Sequence, residues 1–202
     1  MHQFLETIKY SNGIFFNKEL HNARFNSTRK HFFPAFNEIN LFDHIQIPFG
    51  LASDKTYKCR VIYNQSIVSV SFEAYVPTPV NIFHVINCPT GFDYSYKFFD
   101  RTFFNHLRSK ASPGEEFILI KNGFVTDSTY ANLVFDDGEK LYTPSTPLLN
   151  GVKRTFLLQQ GIVFEAEISV ADIFKFQRIS MVNAMVDLGE IPFIPTSNCK
   201  FS

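Results

Sequence analysis

Val125-Thr126-Asp127-Ser128-Thr129-Tyr130-Ala131-Asn132-Leu133-Val134-Phe135 is the stretch on which the reading of this chain turns. Lys121-Asn122-Gly123 precedes it and Asp136-Asp137-Gly138 follows it. Asn-Gly and Asp-Gly between apolar runs are the strongest short-range hairpin signals. The stretch is therefore expected between two tight turns of a β-meander spanning Phe117 to Thr143. Asp127 closes an apolar run, where burying a carboxylate is costly unless a cation faces it. That cation is either another side chain or the protonated ring of a cofactor.

Working outward, the N-terminal half reads as an antiparallel sheet with one or two helices. Phe4 to Tyr10 is a strand, Ser11-Asn12-Gly13 its turn, and Ile14-Phe15-Phe16 a short second strand. Asn17 is placed to cap a helix that runs to about Phe33 and stops at Pro34. Phe36 to Phe49 reads as a mixed helical and looping segment. Cys59 to Tyr63 and Ile67 to Tyr75 form a hairpin through Asn64-Gln65-Ser66, with period-two alternation in the second strand. Val80 to Ile86 is a further strand. Cys88-Pro89-Thr90-Gly91 is the best candidate linker, dividing the chain into 1–88, a linker at 89–92 and 93–202. Beyond it, Ser95 to about Lys110 reads as a helix stopped by Ser112-Pro113-Gly114. Gly151 to Gln160 reads as a helix with Gly161 just past its end. Ser169 and Asp172 form a capping-box pattern for a short helix, and Arg178–Asn183 and Ile191–Ile194 read as late strands.

Composition narrows the classes of function. The chain has 202 residues, 45% hydrophobic and 19% charged, with a formal net charge of +0. That is enough chain for two small domains and carries no basic excess for general nucleic-acid binding. No apolar run is long enough to span a bilayer. Cys59, Cys88 and Cys199 are odd in number and lack metal spacing, which points to reduced thiols in a cytoplasm. The six His are scattered, so no metal site is expected. The 25 Phe read as core and interface filler.

Phe124 to Phe135 resembles the signature of the class IV aminotransferases, and ordered matches continue it. They are Leu141-Tyr142-Thr143-Pro144, Leu148-Leu149-Asn150-Gly151-Val152-Lys153-Arg154 and Val182-Asn183-Ala184-Met185. The family holds branched-chain and D-amino-acid aminotransferases and 4-amino-4-deoxychorismate lyases, all using pyridoxal 5'-phosphate (PLP). The resemblance implies an α+β fold of two small domains with mainly antiparallel sheets, the D-amino-acid-aminotransferase-like PLP fold with a shortened N-terminus. It also implies a homodimer and a small amino substrate. Phe4-Leu5-Glu6-Thr7 stands almost at the start of the chain, where longer members carry an extra strand and a glycine-rich turn.

PLP chemistry needs a lysine, an anion site for the phosphate, a partner for the ring nitrogen and a group that moves protons. Lys97, flanked by Tyr96 and Phe98, falls where the family keeps its Schiff-base lysine; a lysine lying over aromatics in solvent is the plainer reading. Asp127 matches the carboxylate that binds the ring nitrogen, with Asn132 in the same motif. The family usually has glutamate there, one methylene longer. Gly151, Val152 and Lys153 open a helix whose amides would hold the phosphate; the Lys153 side chain, where threonine is common, points toward the phosphate or to solvent. Arg24 matches the first-helix arginine that reaches the phosphate with its fork, and Arg29 competes for that role. Asn183 and Ala184 match a late strand that often carries a hydroxyl near the phosphate, so Ala184 implies one contact fewer. Arg60, mid-strand, suits a substrate carboxylate if it points inward.

The resemblance separates two reactions. An aminotransferase passes the amino group to the cofactor and releases a keto acid. The lyase eliminates pyruvate from aminodeoxychorismate and leaves 4-aminobenzoate. Lys97-Phe98-Phe99-Asp100-Arg101 is closer to the lyase branch, which tends to end in Asn-Arg. An aminotransferase needs to hold two different carboxylate substrates, and the sequence reveals no second carboxylate clamp. A degenerate PLP-binding protein without turnover is the third reading.

Overall fold

A computed structural model describes residues 2–35 and 37–201, so Phe36, the start of the mixed helical segment, lies outside the described residues. The chain forms two compact units. The first is residues 1–76 with 96–100; the second is 77–95 with 101–202.

In the first unit, β1 (Phe4–Ser11), β2 (Ile14–Phe15), β3 (Thr56–Tyr63) and β4 (Ile67–Ala74) form an antiparallel sheet in the order β2-β1-β3-β4. Asn12 (φ 50°) and Gly13 (φ 79°) make the β1–β2 turn, the left-handed pair that a two-residue hairpin requires. Glu6 sits opposite Val61, and Thr7 opposite Arg60. Alternation therefore puts Phe4, Glu6 and Ile8 on one face with Cys59, Val61 and Tyr63. Helix α1 (Lys18–Phe32) lays Phe25 on that face. All of these apolar residues are fully buried, as is Leu41 from a 3₁₀ turn at Leu41–His44. Asn17 occupies the expected cap position. It is left-handed (φ 52°), however, and its side chain does not accept from the helix. The tight turn, rather than a side-chain cap, starts α1.

Lys97 lies at the centre of a tight turn in which Phe98 N donates to Tyr96 O (2.9 Å), not in the helix expected from Ser95. Because β2 covers only Tyr10 and Ser11, the start of β1 has backbone groups to satisfy. Residues 97–99 satisfy them: Leu5 N donates to Lys97 O (2.9 Å) and Phe99 N to Gln3 O (2.9 Å). Phe98 packs 5.2 Å from the Phe4 ring and 6.0 Å from Phe32. Tyr96 packs there too, 4.9 Å from the Phe32 ring, and the helix α2 is reduced to Thr102–Arg108.

In the second unit, β5 (Ile82–Asn87), β6 (Glu115–Lys121), β7 (Phe124–Val125) and β13 (Cys199–Phe201) pair in the order β13-β5-β6-β7. The β5–β6 and β5–β13 pairs are parallel. This pairing assigns β5 to the second unit, so the chain parts at Val76/Pro77 rather than at the 89–92 linker. A second sheet, β10-β9-β8-β11-β12, is built from β8 (Asn132–Asp136), β9 (Leu141–Pro144), β10 (Phe164–Ala166), β11 (Arg178–Val182) and β12 (Ile194–Pro195). Most pairs across the molecule are antiparallel, as expected. The Phe117–Thr143 meander is split, however: β6 and β7 lie in one sheet, β8 and β9 in the other, and the chain crosses between them at Asp127–Asn132. Helix α3 (Val152–Gln159) begins at Gly151 and ends before Gly161 (φ 65°). Asp172 accepts from both Ser169 N (3.0 Å) and Ser169 Oγ (2.6 Å), capping the 3₁₀ turn Val170–Lys175.

Candidate active site

The crossing point of the second unit carries a buried carboxylate. Asp127 is 5% exposed. Its Oδ1 accepts from Asn132 Nδ2 at 2.7 Å and its Oδ2 from Leu149 N at 2.9 Å. Burial raises its pKa, and the bonds from Leu149 and Asn132 together with the Arg154 charge pull against that; the balance is about 7. A carboxylate at this balance is only partly ionised near neutral pH, and an arriving cation would ionise it fully. Asn132 also donates to Leu149 O (2.9 Å), so one amide ties Asp127 to the loop before α3.

Gly151 is required by this arrangement. A Cβ on it would lie 2.0 Å from Asn132 Oδ1. Thr155 N is bonded to Gly151 O (2.9 Å); the amides of Val152 and Lys153 precede it and have no place in the helix ladder. The Lys153 side chain takes neither route left open by the sequence: it is 5% exposed and pairs with Asp187. Arg154 is buried and donates to Pro144 O (2.8 Å), Asn150 Oδ1 (3.1 Å) and Glu165 Oε1 (2.5 Å).

Asn183 spends its side chain locally. Its Oδ1 accepts from Met185 N (2.7 Å) and Val186 N (3.1 Å), and its Nδ2 reaches Tyr130 O at 3.4 Å. It is a turn amide rather than a substitute for the hydroxyl missing at Ala184, which is half-buried in the same turn.

In the first unit, the half-buried Arg24 and Lys97 act on one buried pair, Glu6 and His21. Arg24 donates from Nε to Glu6 Oε1 (2.8 Å) and from Nη2 to Glu6 Oε2 (2.6 Å). The fork expected to bind phosphate thus holds Glu6 along one edge. Burial by itself would raise the Glu6 carboxyl, but the Arg24 charge and fork and the His21 bond outweigh it and hold it at about 2. His21 Nδ1 lies 2.6 Å from Glu6 Oε2. Opposite an ionised Glu6, that nitrogen carries the proton. Burial lowers the His21 pKa, the Glu6 bond raises it, and the charges of Arg24 and Lys97 lower it further. Arg29 drops out as a phosphate ligand: its guanidinium donates to Asn37 O (3.0 Å) and Gln65 O (3.3 Å). Arg60 lies on the opposite face of the sheet from Glu6 and Arg24, 3.9 Å from Glu73 and beside the Lys58–Glu73 pair (2.9 Å).

The structure therefore brings Asp127, Asn132, Gly151 and the start of α3 together in one unit, and Arg24 and Lys97 together in the other. Sequence reading missed Glu6 and His21. Glu6 was findable, because an acid in the inward phase of an apolar strand needs a buried partner. It also missed Arg101 and Glu116, which hold Thr129. Among the described residues no cluster could hold a metal ion, and no helix is long and apolar enough to cross a membrane.

The sequence profile of the family described as amino-transferase class IV matches residues 3–192. An uncharacterized protein of Haemophilus influenzae (strain ATCC 51907 / DSM 11121 / KW20 / Rd) is 35% identical over 187 residues, covering 92% of this chain and 98% of the other. The crystal structure of a candidate 4-amino-4-deoxychorismate lyase from Haemophilus somnus 129pt is similar at a TM-score of 0.85 and 29% identity. That match covers 93% of this chain and 98% of the other. A candidate amino-acid aminotransferase from Mesorhizobium loti shares the fold at a TM-score of 0.73 and 23% identity, with both chains covered completely.

Proposed function

Because the chain belongs to the amino-transferase class IV family, we propose that this PLP-dependent enzyme is a lyase of the 4-amino-4-deoxychorismate type, releasing pyruvate and 4-aminobenzoate. The residues present fit the cofactor. Asp127, buried and balanced at about 7, is suited to a protonated ring nitrogen. Gly151 leaves the start of α3 without a side chain where a Cβ would strike Asn132, and the amides of Val152 and Lys153 suit a phosphate. In the first unit, Arg24, its fork held by Glu6 along one edge, is the arginine that the family likeness assigns to the phosphate. Lys97 would hold the cofactor's aldehyde carbon.

Bound there, PLP supplies an electron sink for the pair left when the substrate α-proton departs. The chain's own residues do the rest. Lys97 would take and return that proton as a general base. Asp127 would keep the ring nitrogen charged, and Asn132 keeps Asp127 from turning away. Glu6 fixes the Arg24 guanidinium, so no rotamer freedom is lost when an anion binds.

The observation that carries the cofactor reading is the buried Asp127–Asn132–Leu149 arrangement. Support for the lyase branch comes from the likeness to the Haemophilus somnus protein and from Asp100-Arg101 after Lys97. An amino-acid aminotransferase is the second reading. Lys58 and Arg60 side by side on the sheet face opposite Glu6, both beside Glu73, favour it, because two cations there would suit a second carboxylate. A homodimer and a cytoplasmic location complete the proposal.

The test is the visible spectrum of the protein with PLP, for wild type and Lys97→Ala, followed by a panel of amino acids and aminodeoxychorismate. A band in wild type that the variant lacks, with 4-aminobenzoate formed from aminodeoxychorismate, is the expected result. Conversion of the band by one amino acid would make the protein an aminotransferase. An unchanged band in Lys97→Ala would remove Lys97 from the site.

A further inference from the structure

We propose that Arg101 and Glu116 are positioning residues for the Asp127 carboxylate, acting through the Ser128–Ala131 loop, and that they make up for the short reach of an aspartate. The inference rests on the PLP reading above. The loop is closed on itself: Ser128 N donates to Ala131 O (2.8 Å), and Ser128 Oγ accepts from Ala131 N (3.0 Å). Its flanks are Asp127 and Asn132, bridged across the backbone and joined by the Asn132 amide. Both residues that present the carboxylate are therefore carried by one small loop.

Thr129, 1% exposed, fixes that loop to the body of the unit. Glu116 Oε1 accepts from Thr129 N (3.2 Å) and from Thr129 Oγ1 (2.6 Å). Arg101 Nη2 donates to Thr129 O (2.6 Å), and its Nη1 to the Tyr94 hydroxyl (3.1 Å). The amide, carbonyl and hydroxyl of Thr129 are all engaged by one carboxylate and one guanidinium. The two clamps come from different elements, Glu116 from β6 and Arg101 from the residue before α2. Glu116 is itself steadied by Arg108 Nη1 (3.1 Å), whose guanidinium lies 4.6 Å over the Tyr130 ring.

A buried loop needs its polar groups satisfied, but neutral partners would do that. Two charged side chains make shorter and stiffer bonds than neutral ones. The need for stiffness follows from Asp127. A glutamate adjusts its carboxylate through an extra torsion, whereas an aspartate transmits every displacement of its backbone to the carboxylate. A binding group must be held within about 0.5 Å to work. The clamp on Thr129 supplies from the backbone the accuracy that a longer side chain would supply by reach.

The experiment measures PLP affinity, the pH midpoint of the bound cofactor's visible band and thermal melting. Wild type, Arg101→Gln, Arg101→Lys and Thr129→Val are compared, then Arg101→Gln in an Asp127→Glu background. Arg101→Gln is expected to weaken PLP binding by roughly ten- to a hundredfold, through loss of the charge-assisted bond to Thr129 O, and to move the pH midpoint. Arg101→Lys should recover part of both. Thr129→Val, which keeps its shape and loses only the Oγ1 bond, should show the same changes on a smaller scale. The loss should shrink in the Asp127→Glu background. Lower melting temperatures with unchanged affinity and pH midpoint in Arg101→Gln and Thr129→Val would overturn the proposal and leave a structural clamp. Wild type without a PLP band would overturn the cofactor reading, and the inference with it.

Discussion

Asp127 shows how one residue sets both a cost and a use. Its pKa is raised from 3.8 to about 7, so between those values the folded chain binds a proton that the unfolded chain does not. Stability therefore falls as pH rises from about 4 to about 7, by a few kcal/mol for a shift of this size. Asp127→Asn removes the cost. Without cofactor it should be more stable than wild type by a few kcal/mol at pH 8 and nearly equal at pH 4, as read by chemical denaturation. The same variant should bind PLP weakly and lose most activity, because the ring nitrogen loses its anion. Gly151→Ala is the complementary case. Its backbone (φ −71°, ψ 144°) suits any residue, yet the new Cβ would overlap Asn132 Oδ1. We expect a loss of about 2 kcal/mol and weaker PLP binding, measured by denaturation and cofactor titration. Neither cost shows in the sequence, where Gly151 is equally a plain loop glycine.

At the scale of elements, local rules held where the signal was short in range. The Asn12-Gly13 and Asn122-Gly123 turns are left-handed as their residues demand, and the Asp172 cap on Ser169 N formed as its spacing implied. Local rules failed where an element borrows partners from far along the chain. Residues 97–99 run beside β1 instead of in a helix because the start of β1 needs backbone partners, and nothing near Lys97 reveals that need. Phe98 is the anchor of this segment. Phe98→Ala should cost about 3 kcal/mol and should lower PLP incorporation at Lys97 more than a core change away from the site, such as Phe83→Ala in β5. Equal incorporation in the two variants, compared by absorbance per folded protein, would show that the segment does not depend on its anchor.

For the molecule as a whole, Glu6 and Asp127 pull the pH profile in opposite directions. Glu6 falls from 4.5 to about 2 on folding. Its contribution is complete above 4.5 and is lost as pH falls through 2. Together with the Asp127 cost, this places the best stability contributed by the two groups near pH 4 to 5. Melting curves without cofactor should show the acid limb vanish in Glu6→Gln and the limb between pH 4 and 7 vanish in Asp127→Asn. Glu6→Gln should also cost about 3 kcal/mol at neutral pH, because Arg24 is left without its anion. PLP should flatten the upper limb, since its charged ring removes the reason for Asp127 to hold a proton.

The sequence by itself determined the family, the turns, the alternation of β1, β3 and β4, and the candidate residues at Lys97, Asp127 and Gly151-Val152-Lys153. These depend on residue type at fixed spacing, which the chain carries locally. Only the tertiary structure decided that β5 belongs with β6, that the meander divides at Asp127, and that Lys153 is spent on Asp187 and Asn183 on its own turn. It also decided that Arg24 is held by Glu6 and that Thr129 is gripped by Arg101 and Glu116. The physical reason is that strand pairing and buried ion pairs are settled by competition among all available partners. A side chain's type states what it can bond, and only the folded chain states which partner reaches it.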